Sequence, residues 1–309
     1  MVLSAARRAP ALKWLLVVTA VAVLLSGCGA EPGGADTGSV AATAESVTMT
    51  VGGQARSFLI RVPAHDRGEL LPVIVAFHGL GSSAEEFEGY SGLTEKTDQS
   101  QFIVIFPNGS VLADGSTRAW NAGNCCNVLD APQAEDIEFV RAILDTLPDY
   151  DGDSERVFMS GFSNGGMLTY RIACDLGDAV AGIAVVAGAY NVASCESENQ
   201  IPVIIAHGTR DDFIPYDGGV SPPAVADGLD TFTNPSVFDA VQIWLTRNGC
   251  TDAYVETAVT DSVGTVKFDT CRGDGSVALF TVDEGYHEWF RQDDGFDVSD
   301  VIVSAFIGD

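Results

Sequence analysis

Cationic side chains are scarce in this sequence: its 309 residues carry 13 Arg and only 3 Lys against 28 Asp and 15 Glu, a net charge of −27. A surface that tracks phosphates needs clustered cations to displace counterions, and no basic stripe exists here, which argues against nucleic-acid binding. Charge-driven attachment to anionic lipid is disfavoured on the same ground. Metal-ligand spacing is missing as well. There is no Cys-x-x-Cys, and the adjacent Cys125 and Cys126 cannot easily face one ion, so no metal is expected. No internal repeat is present. What remains is 46% hydrophobic over 309 residues, too apolar for a disordered chain and too long for a small disulfide-stapled module. One large globular domain of catalytic size is expected, with its acidity serving solubility in an exposed or salty setting.

The one strongly basic cluster (Arg7, Arg8, Lys13) precedes a 12-residue apolar run, Trp14 to Leu25, and then Leu25-Ser26-Gly27-Cys28. A membrane-spanning helix needs roughly 20 apolar residues, so this run is a secretory signal rather than an anchor. Leu-Ser-Gly-Cys resembles the bacterial lipoprotein signal, in which Cys28 is lipidated and becomes the mature N-terminus. Residues 1–27 are therefore expected to be removed, leaving 13 cations against 43 acids, a net of −30. Lipid on Cys28 would hold this acidic body at a membrane on the outer side of the cell. Residues 28–45 are small and polar and are expected to form a flexible tether, with the catalytic domain over 46–309. Six further cysteines (Cys125, Cys126, Cys174, Cys195, Cys250 and Cys271) make an even number in an exported chain, so disulfides are expected. The most local pairing is Cys250 with Cys271; sequence does not choose among the rest.

Strand-like and helix-like runs alternate over most of the chain. Leu71–Phe77 and Phe102–Phe106 are all-apolar in the manner of buried parallel strands, and further strands are expected at Arg156–Ser160, Ala181–Ala187, Pro202–Ala206 and Ser276–Val282. Helical spacing predicts helices over Glu135–Leu147, Asn164–Leu176, Ser236–Asn248 and Val298–Phe306. Such alternation implies an α/β fold with a mostly parallel sheet covered on both faces. Ser46–Val51 and Arg56–Val62, around Gly52-Gly53, look instead like an antiparallel hairpin. Gly218–Asn234 fits neither period and is expected to be a surface loop bordering a cleft.

Chemistry concentrates at Gly161-Phe162-Ser163-Asn164-Gly165, a G-x-S-x-G between an apolar strand and an amphipathic helix. That context is what a nucleophile elbow requires, because the turn is tight enough to demand small residues two before and two after the serine. The backbone N–H of Asn164 would then face the reacting carbonyl. A serine hydroxyl needs a base, usually His held by a carboxylate, and only four histidines are available. His65 lies in a polar connection and is expected at the surface. His78 opens His78-Gly79-Leu80-Gly81, which resembles the oxyanion turn of α/β hydrolases and makes the Leu80 N–H a second donor. His207 ends a strand and is expected to brace a loop. Elimination leaves His287 as the base. Asp211 is expected to orient it, with Asp212 adjacent and Asp217 near. The order Ser163, Asp211, His287 is that of α/β hydrolases.

Several of these motifs occur together. Phe77-His78-Gly79, Trp120-Asn121 with Cys125-Cys126, Gly161 to Met167, His207-Gly208-Thr209-x-Asp211 with Pro215-Tyr216, Asn248-Gly249-Cys250 and Gly285-x-His287-x-Trp289 look like the secreted polyhydroxybutyrate depolymerase and feruloyl esterase family. The resemblance runs from about Ser57 to the C-terminus. It implies the α/β-hydrolase fold, a serine esterase without metal or diffusible cofactor, the same triad, and structural disulfides. Its expected substrates are hydroxybutyrate oligomers or feruloyl and acetyl esters of polysaccharides, and a monomer is expected. Trp120 and Trp289 are candidate cleft residues, against a role in core packing. The chain departs from the family's Gly-Gly-His-Thr-Trp-Pro by Gly285-Tyr286-His287-Glu288-Trp289-Phe290, which places Tyr286 on the rim of the site. No polymer-binding domain follows residue 309, so tight adsorption to solid polyester is not expected. Acyl transfer or peptide hydrolysis on the same triad is the alternative among enzymes. A non-catalytic envelope-binding lipoprotein is the alternative outside them, and predicts a broken triad.

Overall fold

Apolar residues that run without interruption along a strand need cover on both faces, and the strands here receive it. A computed structural model describes residues 38–123, 135–222, 233–291 and 295–308. In chain order the main sheet comprises β1 (Thr43–Val51), β2 (Gln54–Val62), β3 (Leu71–Phe77), β4 (Ile103–Pro107), β5 (Gly152–Phe162), β6 (Gly182–Val186), β7 (Pro202–Gly208), β8 (Val255–Ala258), β9 (Val263–Phe268) and β10 (Ser276–Val282). The strands lie side by side in the order β8-β9-β10-β7-β6-β5-β3-β4-β2-β1. The six from β10 to β4 are parallel. At either edge an antiparallel pair, β9 with β8 and β2 with β1, completes the sheet. This is the α/β-hydrolase fold expected from the alternation of elements.

Five longer helices cover it: α1 (Ala84–Ser91), α2 (Asp136–Leu144), α3 (Asn164–Asp175), α4 (Val237–Arg247) and α5 (Val298–Phe306). Alternate residues of each strand enter opposite cores. Val73, Val75 and Phe77 of β3 join Phe139 of α2, Leu168 of α3 and Trp244 of α4 on one face. Ile74 and Ala76 join Phe87 of α1 and Ile302 of α5 on the other.

Chain order places the site. From β3 the chain moves outward to β4, then crosses back to the far side of β3 to form β5. Direction reverses between β3 and β5, and ligands of open α/β sheets bind at the carboxyl ends of strands at such a switch point. Phe77 pairs with Gly161 there, so the segments following both strands, His78-Gly79 and Ser163, emerge together.

Two expectations about the N-terminal region are corrected. Ser39–Val40 pairs with His65–Asp66, and β1 begins at Thr43, so order extends into residues expected to be tether. The same pairing covers His65, which is buried rather than at the surface, its Nε2 3.2 Å from Asp151 Oδ2 and its Nδ1 3.0 Å from Pro63 O. Around the expected cleft loop, Gly219–Val220 pairs with Thr233–Asn234, while residues 223–232 lie outside the described residues. Cys28, Cys125 and Cys126 also lie outside them. Disulfides join Cys250 to Cys271, as expected, and Cys174 to Cys195. No helix among the described residues is long and apolar enough to cross a membrane.

Candidate active site

Ser163 occupies the single residue between β5 and α3, at φ 55° and ψ −121°. A non-glycine residue rarely adopts positive φ, and holding one there requires the surroundings to fix it. The Ser163 N–H donates to Val186 O at 2.9 Å, and its carbonyl accepts from the Met167 N–H at 2.9 Å. Gly161 and Gly165 make the turn possible. A Cβ on Gly165 would collide with the backbone oxygens of Phe77 and His78, and one on Gly161 would collide with the Gly165 carbonyl. The helix can therefore start directly against the strand, its positive N-terminal end at the serine.

Ser163, Asp211 and His287, the three residues expected to act together, converge here. His287 Nε2 lies 2.8 Å from Ser163 Oγ, and His287 Nδ1 lies 2.8 Å from Asp211 Oδ2. Asp211 is buried after β7, whereas Asp212 and Asp217 are exposed. Its Oδ1 accepts the N–H groups of Phe213 (2.9 Å) and Ile214 (2.7 Å). Burial alone would raise the Asp211 carboxyl, but hydrogen bonds from His207 and His287 outweigh it and hold the group well below the usual carboxylate range. The Asp211 and His287 loops are fastened together. Thr209 N–H donates to Val282 O (2.9 Å), Arg210 N–H to Gly285 O (2.9 Å), and Glu284 N–H to Thr209 Oγ1 (2.8 Å). Arg210 also pairs with Glu284.

On the opposite side of the serine, the His78 ring sets the expected oxyanion turn. Its Nε2 accepts the Gly109 N–H at 3.0 Å, so Nδ1 carries the proton and donates to Gly79 O at 2.7 Å. Burial lowers its pKa to about 4, which keeps the ring neutral. Because a peptide unit is planar and trans, fixing the Gly79 carbonyl also fixes the Leu80 N–H in the opposite direction. Gly79 borders Ser163 closely enough that a Cβ there would lie 3.4 Å from Ser163 Cβ. Asn164 supplies more than its backbone. Its side chain clasps Trp120, with Oδ1 accepting the Trp120 N–H (2.8 Å) and Nδ2 donating to Trp120 O (3.2 Å).

The two tryptophans expected at the cleft are buried instead. Trp120 Nε1 donates to His78 O at 2.9 Å, and Trp289 Nε1 donates to Ser299 Oγ at 2.9 Å, so both indoles serve the core and its polar contacts. Tyr286 is exposed, as its rim position predicts. Two phenyl rings not anticipated from sequence lie against His287: Phe162 at 4.9 Å and Phe213 at 5.2 Å between ring centroids. Both are adjacent or nearly adjacent to motif residues, which was the available signal. His207 braces a loop, as expected, through Ile214 O at 2.8 Å, but also contacts Asp211. Among the described residues no group of three or more His, Cys, Asp or Glu is arranged to hold a metal.

The phospholipase/carboxylesterase family profile matches residues 64–224, from before β3 to beyond the Asp211 loop. The chain belongs to that family. Relatives include feruloyl esterase B of Piromyces equi, 26% identical over 241 residues, covering 75% of this chain and 42% of that protein. The putative esterase NocK of Nocardia uniformis subsp. tsuyamanensis is 32% identical over 190 residues, covering 59% of this chain and 53% of that protein. The chain thus spans about half, or less, of the length of these two relatives. Among solved structures, acetyl xylan esterase from Aspergillus awamori superposes with a TM-score of 0.58 at 15% identity, covering 85% of this chain and 99% of that one, a likeness of fold.

Proposed function

We propose that the protein is a serine esterase that hydrolyses carboxylic esters through an acyl-enzyme. The observation that carries this reading is the unbroken hydrogen-bond sequence from Asp211 Oδ2 through both nitrogens of His287 to Ser163 Oγ. Ser163 Oγ attacks the ester carbonyl while its proton passes to His287 Nε2. Asp211 holds the imidazole and stabilises the imidazolium that forms. The backbone N–H groups of Leu80 and Asn164 receive the oxyanion, where losing one donor commonly costs on the order of 100-fold or more in rate. Collapse breaks the bond to the alcohol oxygen, which takes the proton from His287. Water then attacks the acyl-enzyme by the reverse route. No metal or diffusible cofactor takes part.

Its substrates on this reading are hydroxybutyrate oligomers or feruloyl and acetyl esters of polysaccharides; the motif resemblance supports the whole range, and the names of the relatives support its feruloyl and acetyl part. Tyr286 contributes to the rim of the substrate site. Acylation at Cys28 holds the exported monomer at the outer face of the membrane; the two disulfides favour the export itself. The decisive measurement is turnover of p-nitrophenyl acetate and butyrate by purified protein beside Ser163→Ala, with labelling by a serine-directed organophosphonate. Wild-type turnover and labelling, both lost in the variant, are expected. Equal inactivity of the two proteins and no label would end the proposal.

A further inference from the structure

The aromatic ring of Phe213 is costly to leave where it is. It is 52% exposed, although it sits two residues beyond Asp211 and its N–H is committed to the Asp211 carboxylate. Tyr286 on the facing loop is 56% exposed and Leu80 on the oxyanion turn 44%. Three of the large apolar side chains exposed among the described residues therefore sit on the turns that carry Asp211, His287 and the Leu80 N–H. A patch of this kind beside a reactive group marks a surface that a ligand covers.

Resting on the esterase reading, we propose that Phe213 determines specificity for the alcohol half of the ester, selecting an alcohol that presents a flat apolar face. The placement follows from proton transfer. His287 Nε2 takes the proton of Ser163 Oγ and must return it to the departing alcohol oxygen, so that oxygen comes within hydrogen-bond reach of Nε2. Whatever the oxygen carries must then pass the groups flanking the imidazole. On one ring this flank is Phe162, partly buried against the core; on another it is Phe213, whose ring centroid lies 5.2 Å from that of His287 with the planes inclined by 34°. Only Phe213 of the two offers a broadly exposed face. The acyl half is held elsewhere, its carbonyl oxygen directed at the Leu80 and Asn164 N–H groups. Aryl rings and the C–H face of a sugar ring share the required flatness.

Four esters separate the halves: ethyl acetate, benzyl acetate, an acetylated methyl xyloside and ethyl butyrate. Ethanol and benzyl alcohol are similarly poor leaving groups, so a difference between their acetates reports contact rather than chemistry. In Phe213→Ala the loss of kcat/KM is expected to be about 10-fold greater for benzyl acetate than for ethyl acetate, chiefly through KM. Phe213→Tyr should restore the wild-type ratio. The ratio of butyrate to acetate with ethanol fixed should not move. Whether the xyloside follows the benzyl or the ethyl ester tells sugar faces from aryl groups as the natural ligand. A loss that is uniform across alcohols, or that tracks acyl length, overturns the proposal while leaving the esterase reading intact. Wild-type inactivity on every ester overturns both. Thermal unfolding of the variant, at an exposed position, should stay close to wild type.

Discussion

His207 Nε2 lies 3.2 Å from Oδ2 of Asp211, the same oxygen that His287 Nδ1 reaches at 2.8 Å. With the N–H groups of Phe213 and Ile214 on Oδ1, four donors surround one carboxylate, which uses its acceptor capacity in full. The His207 N–H is shared, because Ile214 O lies 2.8 Å away, while its Nδ1 is buried without a hydrogen-bond partner among the described residues. His207 is thus a positioning residue, holding the Asp211 loop from beneath. His207→Phe keeps the shape but leaves Asp211 and Ile214 short of a donor. Urea unfolding should show a loss of about 1.5–3 kcal/mol, the range for a hydrogen bond to a charged group.

Asp211→Asn tests the carboxylate itself. On the proposed mechanism kcat falls by about 10⁴-fold, because the amide cannot hold the imidazole in the required tautomer. Stability gives a second readout. The Asp211 carboxyl is depressed in the folded protein, so its stabilisation is fully present above the unfolded-state value of about 3.9 and is lost as pH falls through the folded value. The stability gap between wild type and variant should be widest near neutrality and narrow below about pH 4. A gap that is constant or widens in acid contradicts the assignment.

Much of this site was legible because its demands are local. Gly161, Ser163 and Gly165 must stand at fixed spacing, and Leu71–Phe77, Ser276–Val282 and Val298–Phe306 take up the bounds that their apolar patterns predict. Elements with weak apolar faces were not legible. Helix α1 buries only Ala84, Phe87 and Ser91, although Ser83 caps it by accepting the Glu86 N–H and the Ser-x-x-Glu spacing was there to be read. The four residues of β8 are all exposed, so no alternation marks them. Long-range pairing is likewise invisible in a local window. The polar surroundings of His65 predict exposure, and only its pairing with Val40 reverses that. Motif position also says nothing of side-chain direction, which is why Trp120 and Trp289 proved to face the core.

Each disulfide closes a loop of the same sequence separation, 21 residues, so loop-closure entropy assigns each about 3 kcal/mol. Replacing either pair by Ala should lower stability by a similar amount. Cys174 and Cys195 sit against the α3 core, whereas Cys250 and Cys271 anchor the segment bearing the β8–β9 edge. Limited proteolysis should therefore cut within residues 251–270 after loss of the second pair, and not after loss of the first.

Two helical glycines give opposite signs under one substitution. Gly165, in the first turn of α3, faces the backbone oxygens of Phe77 and His78, which cannot move without disturbing β3 and the turn beyond it. An added methyl there has to displace the helix from the strand. Gly165→Ala should cost about 3 kcal/mol or more and should carry catalytic loss with it, since the displaced helix bears the Asn164 N–H. Gly89, inside α1, has nothing within 4 Å of a Cβ and ordinary helical backbone. There alanine lowers only the backbone entropy lost on folding, so Gly89→Ala should stabilise by about 0.5–1 kcal/mol without effect on turnover. Urea midpoints of the two variants, measured beside wild type, should fall on opposite sides of it. If Gly165→Ala is as benign as Gly89→Ala, the close approach of helix to strand at Ser163 is refuted.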